Sequence, residues 1–93
     1  MLADLFETLR TTPEKLIDRH HEGDEALMSL VRQAAAERDM SPREYLAMAV
    51  DNFVDSTSES DWLPIAQRLH QQEDPERSCM HEIVRGQIER DRA

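Results

Sequence analysis

The side chains best suited to bind a metal ion are four histidines and one cysteine, and their spacing decides what they can do together. On a helix, His20 and His21 diverge by about 100°, and Cys79 and His81 diverge by about 200°. Neither pair can chelate a metal from one helix face. A site that combined His70 with Cys79 would still fall short of the four ligands of a tetrahedral shell. We therefore predict no metal site and no cofactor, with a metal- or haem-handling protein as an alternative.

Sequence motifs for catalysis are missing as well. Glycine occurs only at Gly23 and Gly86, which excludes the phosphate-binding loops that need two or three close glycines. No serine lies in a nucleophile-elbow sequence. Cys79 falls on an apolar stripe with Ile83, where a small buried hydrophobic side chain is the expected role rather than a reactive thiol. We therefore expect a protein that is not an enzyme.

Negative charge is the strongest feature of the composition. The chain has 93 residues and a formal net charge of −9. This charge disfavours binding to nucleic acid and to anionic membranes, because both depend on Lys and Arg. A single cysteine excludes an intrachain disulfide, and the acidic start does not resemble a secretory signal. These features predict a cytoplasmic protein, and the use of arginine in place of lysine at all basic positions but Lys15 suggests a GC-rich bacterial genome.

An acidic surface is expected where the central helix ends. No Lys or Arg lies between Arg43 and Arg68, and that interval contains a run of four acidic residues: Asp51, Asp55, Glu59 and Asp61. Acidic side chains near the C-terminal end of a helix face the negative pole of its dipole, at a cost of a few tenths to about 1 kcal/mol each. We interpret the run as a binding surface for a basic region of a protein partner.

The apolar spacing predicts an all-α fold of five to six short helices without a β-sheet, in one domain over residues 1–93. The best specified helix follows Ser41, which caps it; Pro42 occupies the first helical position and Glu44 completes a capping box. The predicted apolar stripe of this helix consists of Leu46, Ala49, Val50, Phe53 and Val54. We expect the other helices to pack around it.

Five further segments carry helical patterns: residues 2–10, residues 13–23, residues 25–38, a segment from about residue 60 and a segment from residue 75. A second capping box is expected at Thr11-Thr12-Pro13-Glu14. Asp24 is expected to cap the third helix. Residues 56–60 break the periodicity and are expected to form the longest loop.

The helix pair over residues 27–54 combines Leu27 and Val31, an alanine-rich middle, and a second helix that carries Glu44-Tyr45-Leu46 and runs to Phe53-Val54. It resembles the helix pair of ribbon-helix-helix repressors and antitoxins over less than a third of the chain. The resemblance implies a dimeric DNA-binding regulator as an alternative function. Those proteins place a basic strand directly before the first helix, whereas here residues 14–24 carry a helical pattern.

Self-association through the last helix is an alternative to packing within the chain. A glycine inside a helix costs about 1 kcal/mol relative to Ala, so Gly86 suggests close approach by another helix, either of the same chain or of a second copy. The expected contact of a homodimer consists of Cys79, Ile83, Gly86 and Ile88. The sequence thus predicts a small, acidic, non-catalytic helical protein that binds and regulates a protein partner.

Overall fold

Over residues 2–93, which the computed structural model describes with side chains from residue 4 onward, the chain forms six α-helices and no strand. The helices are α1 (Leu2–Thr11), α2 (Pro13–Gly23), α3 (Glu25–Glu37), α4 (Pro42–Ser56), α5 (Glu59–Leu69) and α6 (Pro75–Arg92). The predicted all-α class is confirmed. Within these residues no helix combines the length and the apolar character that crossing a bilayer requires.

Helix α4 is the centre of the bundle, because it packs against α1, α2, α3 and α6. Its predicted capping box is present: the Ser41 hydroxyl accepts a hydrogen bond from the Glu44 amide at 3.1 Å, and the Glu44 carboxylate accepts one from the Ser41 amide at 2.9 Å. Pro42 fills the first turn. This start is therefore fixed by local chemistry alone.

The buried face of α4 is rotated from the predicted stripe. Its fully buried residues are Tyr45, Leu46, Ala49 and Val50. Phe53 and Val54 are only half-buried at the edge of the core. Tyr45 was not predicted to be buried, since a phenol needs a polar partner inside a protein; here Asp91 of α6 accepts its hydrogen bond at 2.6 Å.

Much of the remaining core lies on α3 and α6. On α3 the small side chains of Ala34 and Ala35 are buried, and α3 makes its most extensive contacts with α4. The apolar stripe that joins Cys79 to Ile83 on α6 is confirmed, and it also contains Met80, Val84 and Gln87, which are buried, and Ile88, which is half-buried.

Three aromatic rings join α1, α4 and α5. Phe6 stacks on Trp62 with ring centroids 4.9 Å apart, and Phe53 meets Trp62 edge-on at 6.3 Å. Aromatic pairs of this kind contribute about 0.5–1.5 kcal/mol beyond the area they bury. The short α1 is thus held by the body of the protein, as an isolated helix of its length requires.

Two local predictions are wrong. The connection between α4 and α5 is only residues 57–58, because Ser58 caps α5 with a capping box of its own, and the longest connection is residues 70–74. Thr12 makes no side-chain capping hydrogen bond.

The predicted helix over residues 13–23 is confirmed. Among residues 2–93, the strand of a ribbon-helix-helix protein therefore has no counterpart.

The two predicted capping boxes give a matched pair of variants. Ser41→Ala removes a side-chain hydrogen bond to a helix N-terminus and is expected to lower the free energy of unfolding by about 1 kcal/mol. Thr12→Ala removes no capping bond and should change it by less than about 0.3 kcal/mol. Urea unfolding followed by circular dichroism measures both values, and equal losses would contradict the assignment of the caps.

Candidate functional site

The four residues of the predicted acidic surface have different surroundings. The Asp61 carboxylate accepts a hydrogen bond from the Ser58 amide at 3.1 Å as part of the α5 cap, and the hydrogen bonds from Ser58 hold the pKa of Asp61 below its usual 3.8. Glu59 lies 3.6 Å from Arg10 of α1. Asp51 and Asp55 are exposed and make no hydrogen bond or ion pair with the described residues.

Leu63 adds an apolar feature beside this acid. Its exposed fraction is 63%, and among the described residues it is the only large hydrophobic side chain that is exposed. It lies one helical turn after Glu59 on the same side of α5. A shallow, open depression of about 480 Å³ lies beside it on α5, lined by Leu63, Ala66, Gln67, His70 and Gln71. Leu63 does not fit the helical spacing of the buried apolar residues of α5. This mismatch can be read from the sequence and could have identified Leu63 as exposed.

The predicted dimer residues lie mostly inside the chain. Cys79 and Ile83 are buried in the core, so they contact residues of the same chain instead of forming an outer surface. Burial, together with the nearby charges of Glu82 and Glu76, raises the pKa of the Cys79 thiol to about 12, which keeps it protonated and unreactive at neutral pH.

Gly86 has no close neighbour to explain it. A Cβ atom placed there would meet no atom within 4 Å other than those of its own helix and neighbouring residues. The close helix approach that the sequence suggested is therefore not made by the described residues of the chain. Ile88, also part of the predicted contact, is half-buried against the core.

Asp24 is a buried charged residue whose carboxylate contacts both α3 and α6. The contacts with α6 were not predicted from the sequence. Asp24 caps α3 as expected, accepting a hydrogen bond from the Leu27 amide at 3.1 Å. Its other carboxylate oxygen lies 2.9 Å from Nε2 of His81 and 3.2 Å from Nε of Arg77, both on α6. The exposed fraction of its side chain is only 5%.

Burial alone would raise the pKa of Asp24. The Leu27 amide, the hydrogen bond and charge of His81 and the charge of Arg77 outweigh burial and hold the pKa below its usual 3.8. Asp24 is therefore a carboxylate at neutral pH. His20 is buried nearby, with Nδ1 at 3.9 Å from the Asp24 carboxylate and Nε2 at 3.8 Å from Glu76, too far for hydrogen bonds.

A basic cavity opens beside this cluster. It lies between α5 and α6, has a volume of about 460 Å³ and is lined by Arg68, Leu69, Gln72, Arg77, Ser78, His81, Glu82 and Arg85. The sequence carried a signal for it, because Arg77, His81 and Arg85 recur at four-residue spacing and so share one helix face. The prediction for His81 concerned only metal binding together with Cys79, which lies on another face of the helix.

Among residues 2–93, no three His, Cys, Asp or Glu side chains are arranged to hold a metal ion together. In comparisons with known proteins, no family model, no curated protein and no solved structure matches this chain.

The environment of Asp24 predicts a stability effect that depends on pH. Asp24→Asn keeps a capping oxygen but places an amide against the donors of His81 and Arg77, so it is expected to lower the free energy of unfolding by about 2–4 kcal/mol at pH 7. Since the folded pKa of Asp24 is lowered, its contribution is complete above pH 3.8 and is lost as the pH falls below that value.

Urea unfolding of wild type and Asp24→Asn at a series of pH values tests this. Asp18→Asn is the control, because Asp18 makes an exposed ion pair with Arg43 at 2.7 Å, and such pairs contribute at most about 1 kcal/mol. A difference between wild type and Asp24→Asn that stays constant from pH 7 to below pH 3.8 would contradict the assignment.

The open space at Gly86 predicts that Gly86→Ala raises the free energy of unfolding by about 0.5–1 kcal/mol, because Ala restricts the unfolded chain and meets no atom in the folded one. Thermal unfolding and sedimentation velocity of both proteins measure the effect. A destabilised variant with a lower sedimentation coefficient would instead show that a second copy occupies the space.

Proposed function

We propose that this chain is a non-catalytic helical protein that binds and regulates a protein partner through the outer face of α5 and the adjoining end of α4. The observation that carries the proposal is Leu63, a large apolar side chain exposed by 63% one turn from an acidic residue. The partner is a basic amphipathic segment that places an apolar side chain beside Leu63.

Charge supports a basic partner. Asp51 and Asp55 stand one turn apart on α4, where two unpaired carboxylates repel each other. Both lie in the second half of α4, toward the negative pole of its dipole. A basic segment would relieve both costs, whereas Asp61 and Glu59 already have partners in the chain. The binding surface is therefore narrower than the full acidic run.

Apolar contact and charge have separate roles in this proposal. The shallow depression next to Leu63, about 480 Å³ in volume, offers an apolar surface that a partner side chain can cover. The carboxylates are exposed, so they act mainly on the association rate and are screened by salt. A second copy of the chain is disfavoured at this surface, because each copy carries a net charge of −9.

The test is capture of partners from the native cell, followed by binding kinetics with the recovered partner. Leu63→Ser is expected to weaken binding by about tenfold or more through faster dissociation. Asp51→Lys with Asp55→Lys is expected to slow association by about tenfold at low salt, with less effect at high salt.

Glu22→Lys with Glu89→Lys is the matched control, since both residues are exposed, make no hydrogen bond or ion pair with the described residues and give the same change in net charge. It should leave the association rate within about twofold of wild type. Equal effects of the two double variants, or full binding by Leu63→Ser, would contradict the proposal. Circular dichroism confirms that each variant is folded.

A further inference from the structure

We propose that the cavity between α5 and α6 is a binding site for the phosphate group of a small phosphomonoester. Three guanidinium groups and one carboxylate line it, which leaves a formal charge of +2 on the lining before His81 is counted, and +1 when the buried Asp24 carboxylate behind Arg77 is included. In a chain whose net charge is −9, this is a local reversal of sign. The site is independent of the outer face of α5.

The three arginines differ in how they are held. Arg77 is fixed through its Nε by the buried Asp24 carboxylate at 3.2 Å, and its two terminal nitrogens make no hydrogen bond. Arg68 donates to Glu82 at 2.9 Å. Arg85 makes no hydrogen bond or ion pair with the described residues. The cavity thus contains one oriented cation, one loosely paired cation and one unpaired cation.

His81 is oriented in the same way as Arg77. Its Nε2 lies 2.9 Å from the Asp24 carboxylate, which fixes the ring and leaves Nδ1 without a hydrogen-bond partner. Ser78, one turn before Glu82 on α6, adds a hydroxyl to the lining. Two of the groups at the site are therefore positioned before any ligand arrives, which reduces the ordering that binding must impose.

The number of donors favours phosphate over carboxylate. A carboxylate is satisfied by one bidentate guanidinium, whereas a phosphomonoester carries a charge of about −1.5 to −2 and three strong acceptor oxygens. Three arginines and a hydroxyl match that larger demand, and Nδ1 of His81 adds a donor only when the ring is protonated, because Nε2 already donates to Asp24. The volume of about 460 Å³ leaves room for an organic group beside the phosphate and lies within the range of small-molecule pockets.

The test is a titration of the whole protein with inorganic phosphate and, separately, with glycerol 3-phosphate at constant ionic strength. Two-dimensional NMR spectra of the backbone and arginine side-chain N–H groups monitor each titration. The expected result is saturable binding of both, with shifts centred on Arg77, His81 and Arg85. Arg85→Gln is expected to weaken binding by about tenfold, since it removes a charge-assisted hydrogen bond.

Arg90→Gln is the matched control, because it removes the same charge from an exposed position of α6 outside the cavity. It should change the dissociation constant by less than about twofold. Equal weakening by the two variants, or no saturation with either compound, would overturn the site. A phosphoserine peptide that binds while glycerol 3-phosphate does not would overturn the assignment to a small ligand.

Discussion

A buried carboxylate can be kept ionised only if its neighbours satisfy its oxygens, and in this protein that condition on Asp24 fixes how three helices meet. Asp24 ends α2 and caps α3, and its second oxygen takes two donors from α6. Removal of any one donor leaves part of a buried charge uncompensated. The start of α6 is therefore held in one position against the α2–α3 corner.

The far end of α6 is held by a second polar network, so the helix is fixed at both ends. Tyr45 of α4 donates to Asp91, and Asn52 of α4 donates to Gln87, which itself donates to Asp91. Burial would raise the pKa of Asp91, but these hydrogen bonds and the charges of Arg38 and Arg90 outweigh it and keep the pKa low. Between the two networks the apolar stripe of α6 packs without register freedom, because a shift by one turn would break both sets of bonds.

Local chemistry explains which parts of this arrangement the sequence could predict. The Ser41 cap and the α6 stripe depend on residues within one or two turns, so spacing alone identified them. The Asp24 carboxylate contacts His81 across 57 residues of sequence, and spacing carries no information about that pairing. The rotation of α4 that buries Tyr45 has the same cause, because it depends on Asp91, 46 residues away. For Gly86 the sequence left two explanations, a contact within the chain and a contact with a second copy, and only the first is contradicted, because no atom of the described residues lies close enough.

The contrast between an acidic chain and a basic cavity has a consequence for selectivity. At physiological salt the field of exposed charges falls off over about 8 Å, so a small phosphate inside the cavity interacts mainly with its arginines. A polyanion such as nucleic acid extends well beyond that distance and meets the acidic remainder of the surface, which repels it. Under the proposed function, the same net charge favours the approach of a basic protein segment to the exposed carboxylates of α4. The two proposed sites thus select ligands of opposite sign, because one lies within a cluster of cations and the other faces the average charge of the chain.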